Sequence, residues 1–123
     1  MKVLKTRNPD YDAMKKGERK YTGRAGASAG TKDYWNTNIY EKIQIQLVDD
    51  NDSPINGENF EAEIIKMTKY NPPQSIEDAC KDLGAENLLL GAHSVEDAVK
   101  KYYSFKGYEE RIKKYGLVVI KIK

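Results

Sequence analysis

The chain has 123 residues, of which 39% are hydrophobic and 33% charged; we predict one globular domain over residues 1–123. No apolar run approaches the roughly 20 residues of a membrane span, and no signal-peptide pattern is present, so we predict a cytoplasmic protein without membrane contact. One cysteine, Cys80, and one histidine, His93, exclude an internal disulfide and supply too few ligands for a Cys/His zinc site. We therefore predict no metal and no cofactor, and a monomer or weak dimer.

The net charge of +2 conceals an uneven distribution along the chain. Residues 1–35 carry nine Lys or Arg against four Asp or Glu, whereas residues 36–65 carry one against seven. A basic segment of this kind suits a phosphate-bearing partner, although most single lysines belong to a solvated surface.

The first predicted elements are a short strand, Met1 to Thr6, and a short helix that follows it. Asn8 is a candidate helix cap, and Asp10 is favourable near the positive end of the helix dipole. We expect Gly17 to end the helix and to bring the next strand directly to the surface.

The segment from Gly17 to Arg24 packs three cations, a hydroxyl and two glycines into eight residues, so it has little to bury. If it is a strand, Thr22 and Arg24 lie on one face, because alternate residues point the same way. Lys20 would share that face only if the strand begins one residue earlier. An anionic ligand would suit such a face.

A loop rich in glycine, alanine and serine follows, from Gly23 to Lys32. It has no large apolar side chain with which to offset the cost of ordering, so it could be a lid over the basic segment or a simple connector. Beyond it, Tyr34 is an expected exposed aromatic that could stack on a base, whereas Trp35 is more often a core residue.

The middle of the chain predicts two strands joined by an acidic turn. Residues 42–48 alternate apolar and polar side chains, which is typical of a strand with one buried face. In the second strand, residues 60–67, the buried parity changes between Ile64 and Ile65, which indicates a bulge.

The last third predicts helices and a closing strand. Ser75 and Ser94 each precede an i, i+3, i+4, i+7 apolar stripe and are candidate caps. A third short helix is predicted at 108–115, and residues 117–122 form an apolar strand that we expect in the centre of the sheet. The order of elements indicates an α+β fold with a mostly antiparallel sheet and two or three flanking helices.

The octapeptide reads Gly17-x-Arg19-x-x-Thr22-x-Arg24 and resembles the Gly-x-Lys-x-x-Glu-x-Arg motif of the ASCH domain, a relative of the PUA RNA-binding barrels. Three later segments resemble the closing half of ASCH domains in order and spacing: Glu86–Gly91, Ser94–Ala98 and Tyr115–Ile120. This resemblance covers nearly all of the chain and implies a closed PUA-like β-barrel.

The ASCH resemblance implies an RNA, nucleotide or modified-nucleoside ligand. One branch removes the acyl group from 4-acetylcytidine, and its motif has Thr in place of Glu, as here. Carried over, Thr22 would be the nucleophile, Glu86 an acid/base or orienting carboxylate, and Arg24 an anion or carbonyl contact. Arg19 stands where the family has Lys, and a guanidinium cannot give up its proton, so Lys20 is the alternative base.

Three functions therefore compete. We rank RNA or nucleotide binding first, because the change from Lys to Arg weakens catalysis and leaves anion binding intact. The amidohydrolase is second and a ribonuclease third. The candidate ligand contacts are Arg19, Lys20, Tyr21, Thr22, Arg24, Lys32 and Tyr34.

Overall fold

The computed structural model describes residues 2–26 and 39–123. Its elements, in chain order, are β1 (Lys2–Thr6), α1 (Asp10–Lys15), β2 (Tyr21–Ala25), β3 (Lys42–Val48), β4 (Pro54–Tyr70), α2 (Ser75–Leu83), α3 (Ala85–Leu88), α4 (Val95–Ser104), α5 (Tyr108–Tyr115) and β5 (Leu117–Ile122). The predicted glycine-rich loop beyond Gly26, with Lys32, Tyr34 and Trp35, lies outside the described residues.

The five strands form one sheet in the order β1-β3-β4-β5-β2. The β1–β3 pair is parallel, and the other three pairs are antiparallel. The predicted α+β class with a mostly antiparallel sheet is confirmed. The closing strand β5 is paired on both sides and most of its residues are buried, as its apolar sequence indicates.

Strand β4 is 17 residues long and belongs to both halves of the sheet. Its first part pairs with β3 and its second part with β5, and the register shifts between Ile64 and Lys66. The shift falls at the predicted bulge. A bulge bends the strand and increases its twist, which lets the sheet curl.

The curled sheet is not closed into a barrel within the described residues, in contrast to the expectation from the ASCH resemblance. Strands β1 and β2 each have one paired neighbour and form the two edges. The two edges are joined by side-chain bonds from Arg24 to β1 rather than by a backbone ladder.

Two cores pack against the two faces of the sheet. Tyr11 and Met14 of α1 belong to the first core, with Leu4, Ile45 and Ile120. The second core lies under the remaining helices and includes Ile76, Leu88, Tyr102, Ile112 and Val119. The described chain has five helices: the predicted short helix after β1 is α1, the three predicted later helices are α2, α4 and α5, and α3 adds one turn that was not predicted.

The two predicted serine caps differ in outcome. The Ser94 hydroxyl accepts a hydrogen bond from the Asp97 amide at 3.0 Å, as predicted for a cap. Ser75 is instead the first residue of α2, follows Gln74 and is buried. The α2 stripe holds nonetheless, since Ile76, Ala79 and Cys80 are buried.

Candidate functional site

The basic segment forms β2, and its alternation divides the segment between the two faces of the sheet. Tyr21 and Ala25 pack with the second core, under the helices. Gly23 also faces that layer, where an added Cβ would collide with the Tyr102 hydroxyl. Thr22 and Arg24 therefore point to the opposite face, which carries the first core.

Arg19, just before β2, is buried and holds the backbone around α3. Its guanidinium donates to the carbonyl oxygens of Glu86 at 3.0 Å and Leu88 at 2.6 Å. Burial lowers the pKa of Arg19, and nearby Asp10 is the largest opposing influence. A guanidinium fixed on two carbonyls remains a charged donor and cannot act as a general base.

Arg24 bridges the two edges of the sheet. Its Nε donates to Thr22 Oγ1 at 3.2 Å. Its two terminal nitrogens donate to the Lys5 carbonyl at 2.6 Å and to Thr6 Oγ1 at 3.0 Å. These bonds use three of the five N–H groups of a guanidinium, which leaves two for a ligand.

Asp10, the first residue of α1, is the carboxylate that lies near both arginines. Its Oδ1 is 3.9 Å from Arg19 Nε, and its side chain remains 34% exposed. Desolvation raises the pKa of Asp10, while Arg19 and Arg24 act in the opposite direction. We call Asp10, Arg19, Thr22 and Arg24 the arginine site.

Tyr102 lies beside Arg19 on the helical side of the sheet. Its hydroxyl donates to the Leu88 carbonyl at 3.3 Å, so Arg19 and Tyr102 share one acceptor. Burial raises the pKa of Tyr102, and Arg19 and Arg24 partly offset that effect. The approach of this hydroxyl to β2 is possible only because residue 23 is glycine.

The other predicted site residues are placed less centrally. Glu86 is exposed, and Arg19 donates to its backbone carbonyl rather than to its carboxylate. The Lys20 side chain is exposed, and the Lys20 carbonyl accepts from the Ile122 amide at 2.8 Å, so the ladder does reach this residue. Tyr21 lies on the other face from Thr22, with Lys121 Nζ 5.4 Å from its ring centroid.

Sequence reasoning missed three members of this environment. The sequence places Asp10 at the positive end of the helix dipole, but no pattern in it pairs this carboxylate with Arg19. Thr6 shares the inward parity of Leu4 and is buried. Tyr102 is the last position of the apolar stripe that follows Ser94, and nothing in the stripe indicates where its hydroxyl points.

The chemistry available here is anion and hydrogen-bond recognition. Arg19 and Arg24 both act on the Asp10 carboxylate, Glu86 also acts on Arg19, and exposed Lys20 adds a third positive charge. Within residues 2–26 and 39–123 no base accepts the Thr22 proton, and the oxygen of Thr22 is an acceptor for Arg24. In the same ranges no group of three or more His, Cys, Asp or Glu is arranged to hold a metal ion, and no helix is long and apolar enough to cross a membrane.

The architecture and this edge-to-edge site define a small α+β domain with a curled five-stranded sheet. The crystal structure of hypothetical protein PH0355 is similar to it, with a TM-score of 0.72, 26% sequence identity, and coverage of 100% of this chain and 98% of that one. The solution NMR structure of protein PF0455 from Pyrococcus furiosus is also similar, with a TM-score of 0.67, 22% identity, and coverage of 99% and 94%.

At 22% identity, the similarity to PF0455 shows a shared fold and nothing more. Neither name assigns an ASCH or PUA-like family, so that resemblance remains a prediction. No family model matches the chain, and no curated protein matches it.

Proposed function

We propose that this protein binds RNA or a nucleotide at the arginine site, as an ASCH-type module of the PUA-like class. The observation that carries the proposal is the pair of guanidinium groups near Asp10: Arg19 lies 3.9 Å from its carboxylate, and Arg24 also acts on it electrostatically. Arg19, Arg24 and exposed Lys20 together outnumber the carboxylates of Asp10 and Glu86, so the site favours an anionic ligand.

Arg24 is the phosphate or base contact in this proposal. It is half-buried and anchored by three hydrogen bonds, so its guanidinium is held in place before a ligand arrives. A donor that is already oriented loses less side-chain entropy on binding. Exposed Lys20 lies four residues earlier on the same segment and adds positive charge beside the site.

We also propose that the open sheet is a variant of the PUA-like barrel. The support is the curl at the β4 bulge and the bonds from Arg24 that join β2 to β1. In this variant a side chain takes the place of the backbone pairing that would close the barrel.

The test is binding of a fluorescent single-stranded RNA at several salt concentrations. We expect binding that weakens steeply with salt, because neutralised phosphates release counterions. Arg24→Ala should weaken binding about tenfold or more, as loss of a charge-assisted contact does. The matched control is Arg7→Ala, since Arg7 is an exposed arginine paired with Asp52 at 3.1 Å outside the site. Salt-independent binding, or equal binding by Arg24→Ala, would contradict the proposal.

A deacylase acting on 4-acetylcytidine is the second candidate. It is favoured by one contact, since Arg19 brings the Glu86 segment onto the site that contains Thr22. It ranks lower because, within the described residues, the Thr22 hydroxyl accepts from Arg24 and donates to no side chain that could take its proton. Incubation with 4-acetylcytidine and chromatography for cytidine tests it; no turnover, or turnover retained by Thr22→Ala, rules it out.

A further inference from the structure

Asp10 differs from the two arginines of the arginine site because, within the described residues, its carboxylate makes an ion pair but accepts no hydrogen bond. The distance from its Oδ1 to Arg19 Nε, 3.9 Å, is longer than a hydrogen bond. Within the described residues neither carboxylate oxygen accepts a hydrogen bond from a side chain or backbone amide. Arg19 and Arg24 instead direct their bonds to carbonyl and hydroxyl oxygens.

An ionised carboxylate that is partly removed from water and lacks donors is costly, so it selects ligands that bring N–H groups. The ligand that meets Asp10 should not be a cation, because the two guanidinium groups beside it would repel a positive charge. The donors must therefore belong to a neutral group. Two oxygens side by side are best matched by two parallel N–H bonds.

Among the common nucleobases, guanine presents that arrangement, with N1–H and the 2-amino group adjacent on one edge. Its O6 and N7 atoms are acceptors that arginine recognises well. We propose that Asp10 is a specificity-determining residue that reads the N1–H and 2-amino edge of guanine in a bound nucleotide or RNA. This inference rests on the proposed function, because it names the base that the arginine site selects.

The test uses nucleotides that differ by one group. Isothermal titration of the full chain with GMP and IMP compares guanine with hypoxanthine, which keeps N1–H and O6 but lacks the 2-amino group. We expect GMP to bind roughly ten- to a hundredfold more tightly, the range for one hydrogen bond to a charged acceptor. AMP and UMP should also bind more weakly than GMP.

The second test uses a variant that should gain binding of a different nucleotide. Asp10→Asn replaces one acceptor oxygen by an N–H donor, which complements the C2 carbonyl of xanthine instead of the 2-amino group of guanine. The variant should lose the preference for GMP over IMP and gain binding of XMP, and this gain also shows that it is folded. Asp12→Asn, an exposed position in the same helix, is the matched control and should keep the preference for GMP.

The outcomes distinguish the role of Asp10 from nucleotide binding itself. Equal binding of GMP and IMP, or a preference for GMP that survives in Asp10→Asn, overturns the role of Asp10 and leaves nucleotide binding intact. No binding of any nucleotide or RNA overturns both. A preference for GMP that is lost in Asp10→Asn and kept in Asp12→Asn supports both.

Discussion

Arg19 and Arg24 lie five residues apart in one segment, yet the protein uses them in different ways. Arg19 is 8% exposed and donates to two backbone carbonyls at and near α3. Arg24 is half-buried and connects side-chain and backbone oxygens across the open edges of the sheet. The first arginine fixes the helical layer, and the second fixes the curl of the sheet.

The difference follows from the groups that each guanidinium contacts. Arg19 donates to the Glu86 carbonyl in a one-turn helix and shares the Leu88 carbonyl with Tyr102, so it supplies donors to the helix end. Arg24 occupies a gap where strands β1 and β2 do not pair. A ligand can reach Arg24 without breaking the packing of α3, so we expect mutations at Arg19 to act on stability and mutations at Arg24 to act mainly on binding.

The largest expected effect is the loss of stability in Arg19→Ala. The substitution leaves the carbonyls of Glu86 and Leu88 without this donor and removes the counter-charge nearest Asp10. We expect a loss of about 3–5 kcal/mol in the free energy of unfolding, measured by urea denaturation.

Arg19→Lys is the matched control for this measurement. It keeps the charge but cannot span both carbonyls, so it should lose an intermediate amount. A loss below about 1 kcal/mol in Arg19→Ala would show that the α3 segment is held by its apolar contacts instead.

The second prediction concerns Gly23, which lies between the two arginines. A Cβ at this position would collide with the Tyr102 hydroxyl and lie 3.3 Å from Leu88. Because Tyr102 is fully buried, it has little room to yield. We expect Gly23→Ala to cost about 2 kcal/mol, the middle of the range for an overpacked core, in the same urea experiment.

Combining the change with Tyr102→Phe removes the clashing oxygen. If steric conflict is the cause, the double variant should lose less stability than the sum of the two single variants. Additive losses would contradict this account.

The third prediction is a smaller and local effect of Arg24→Ala. We expect a loss of about 1 kcal/mol, because its bonds are partly exposed to water. Hydrogen exchange should accelerate at the edge strands β1 and β2, while the central strand β5 stays protected. Arg24→Lys should restore only part of the protection, and an unchanged exchange rate at both edges would show that the edges are held together without this side chain.

Much of the sheet was predictable because apolar and polar residues alternate along its strands. The β3 pattern and the parity change in β4 depend on neighbouring side chains alone, and the strand and its bulge lie where the pattern placed them. Ser94 was also predictable, because a cap and the amide that it accepts from are three residues apart.

Only one feature of the arginine site was predictable from the sequence. The sequence indicated that Thr22 and Arg24 share a face, but the partners of Arg24 are 18 and 19 residues away, on a strand that pairs elsewhere. Arg19 meets Glu86 through a backbone carbonyl, and no sequence pattern encodes such a contact across 67 residues. The open edges likewise depend on which strands meet in space.

The smallest predicted effect has the opposite sign and concerns Asp10. Desolvation raises the pKa of Asp10 above its ordinary 3.8 in the folded protein, despite Arg19 and Arg24. Since the folded state then holds this proton more tightly than the unfolded chain, the ionised side chain lowers stability at neutral pH. That cost disappears as the pH falls through the raised pKa towards 3.8.

Asp10→Asn removes this titration, so we expect the variant to be slightly more stable than the parent at pH 7 and equal to it in acid. Thermal melts of both proteins from pH 7 to pH 3 measure the difference, with Asp12→Asn in parallel to account for the general effect of removing one acidic charge from α1. If Asp10→Asn is instead less stable at pH 7, the attraction of Asp10 to the two arginines outweighs its desolvation. The carboxylate would then serve to hold the arginines in place, and its availability to a ligand would be correspondingly lower.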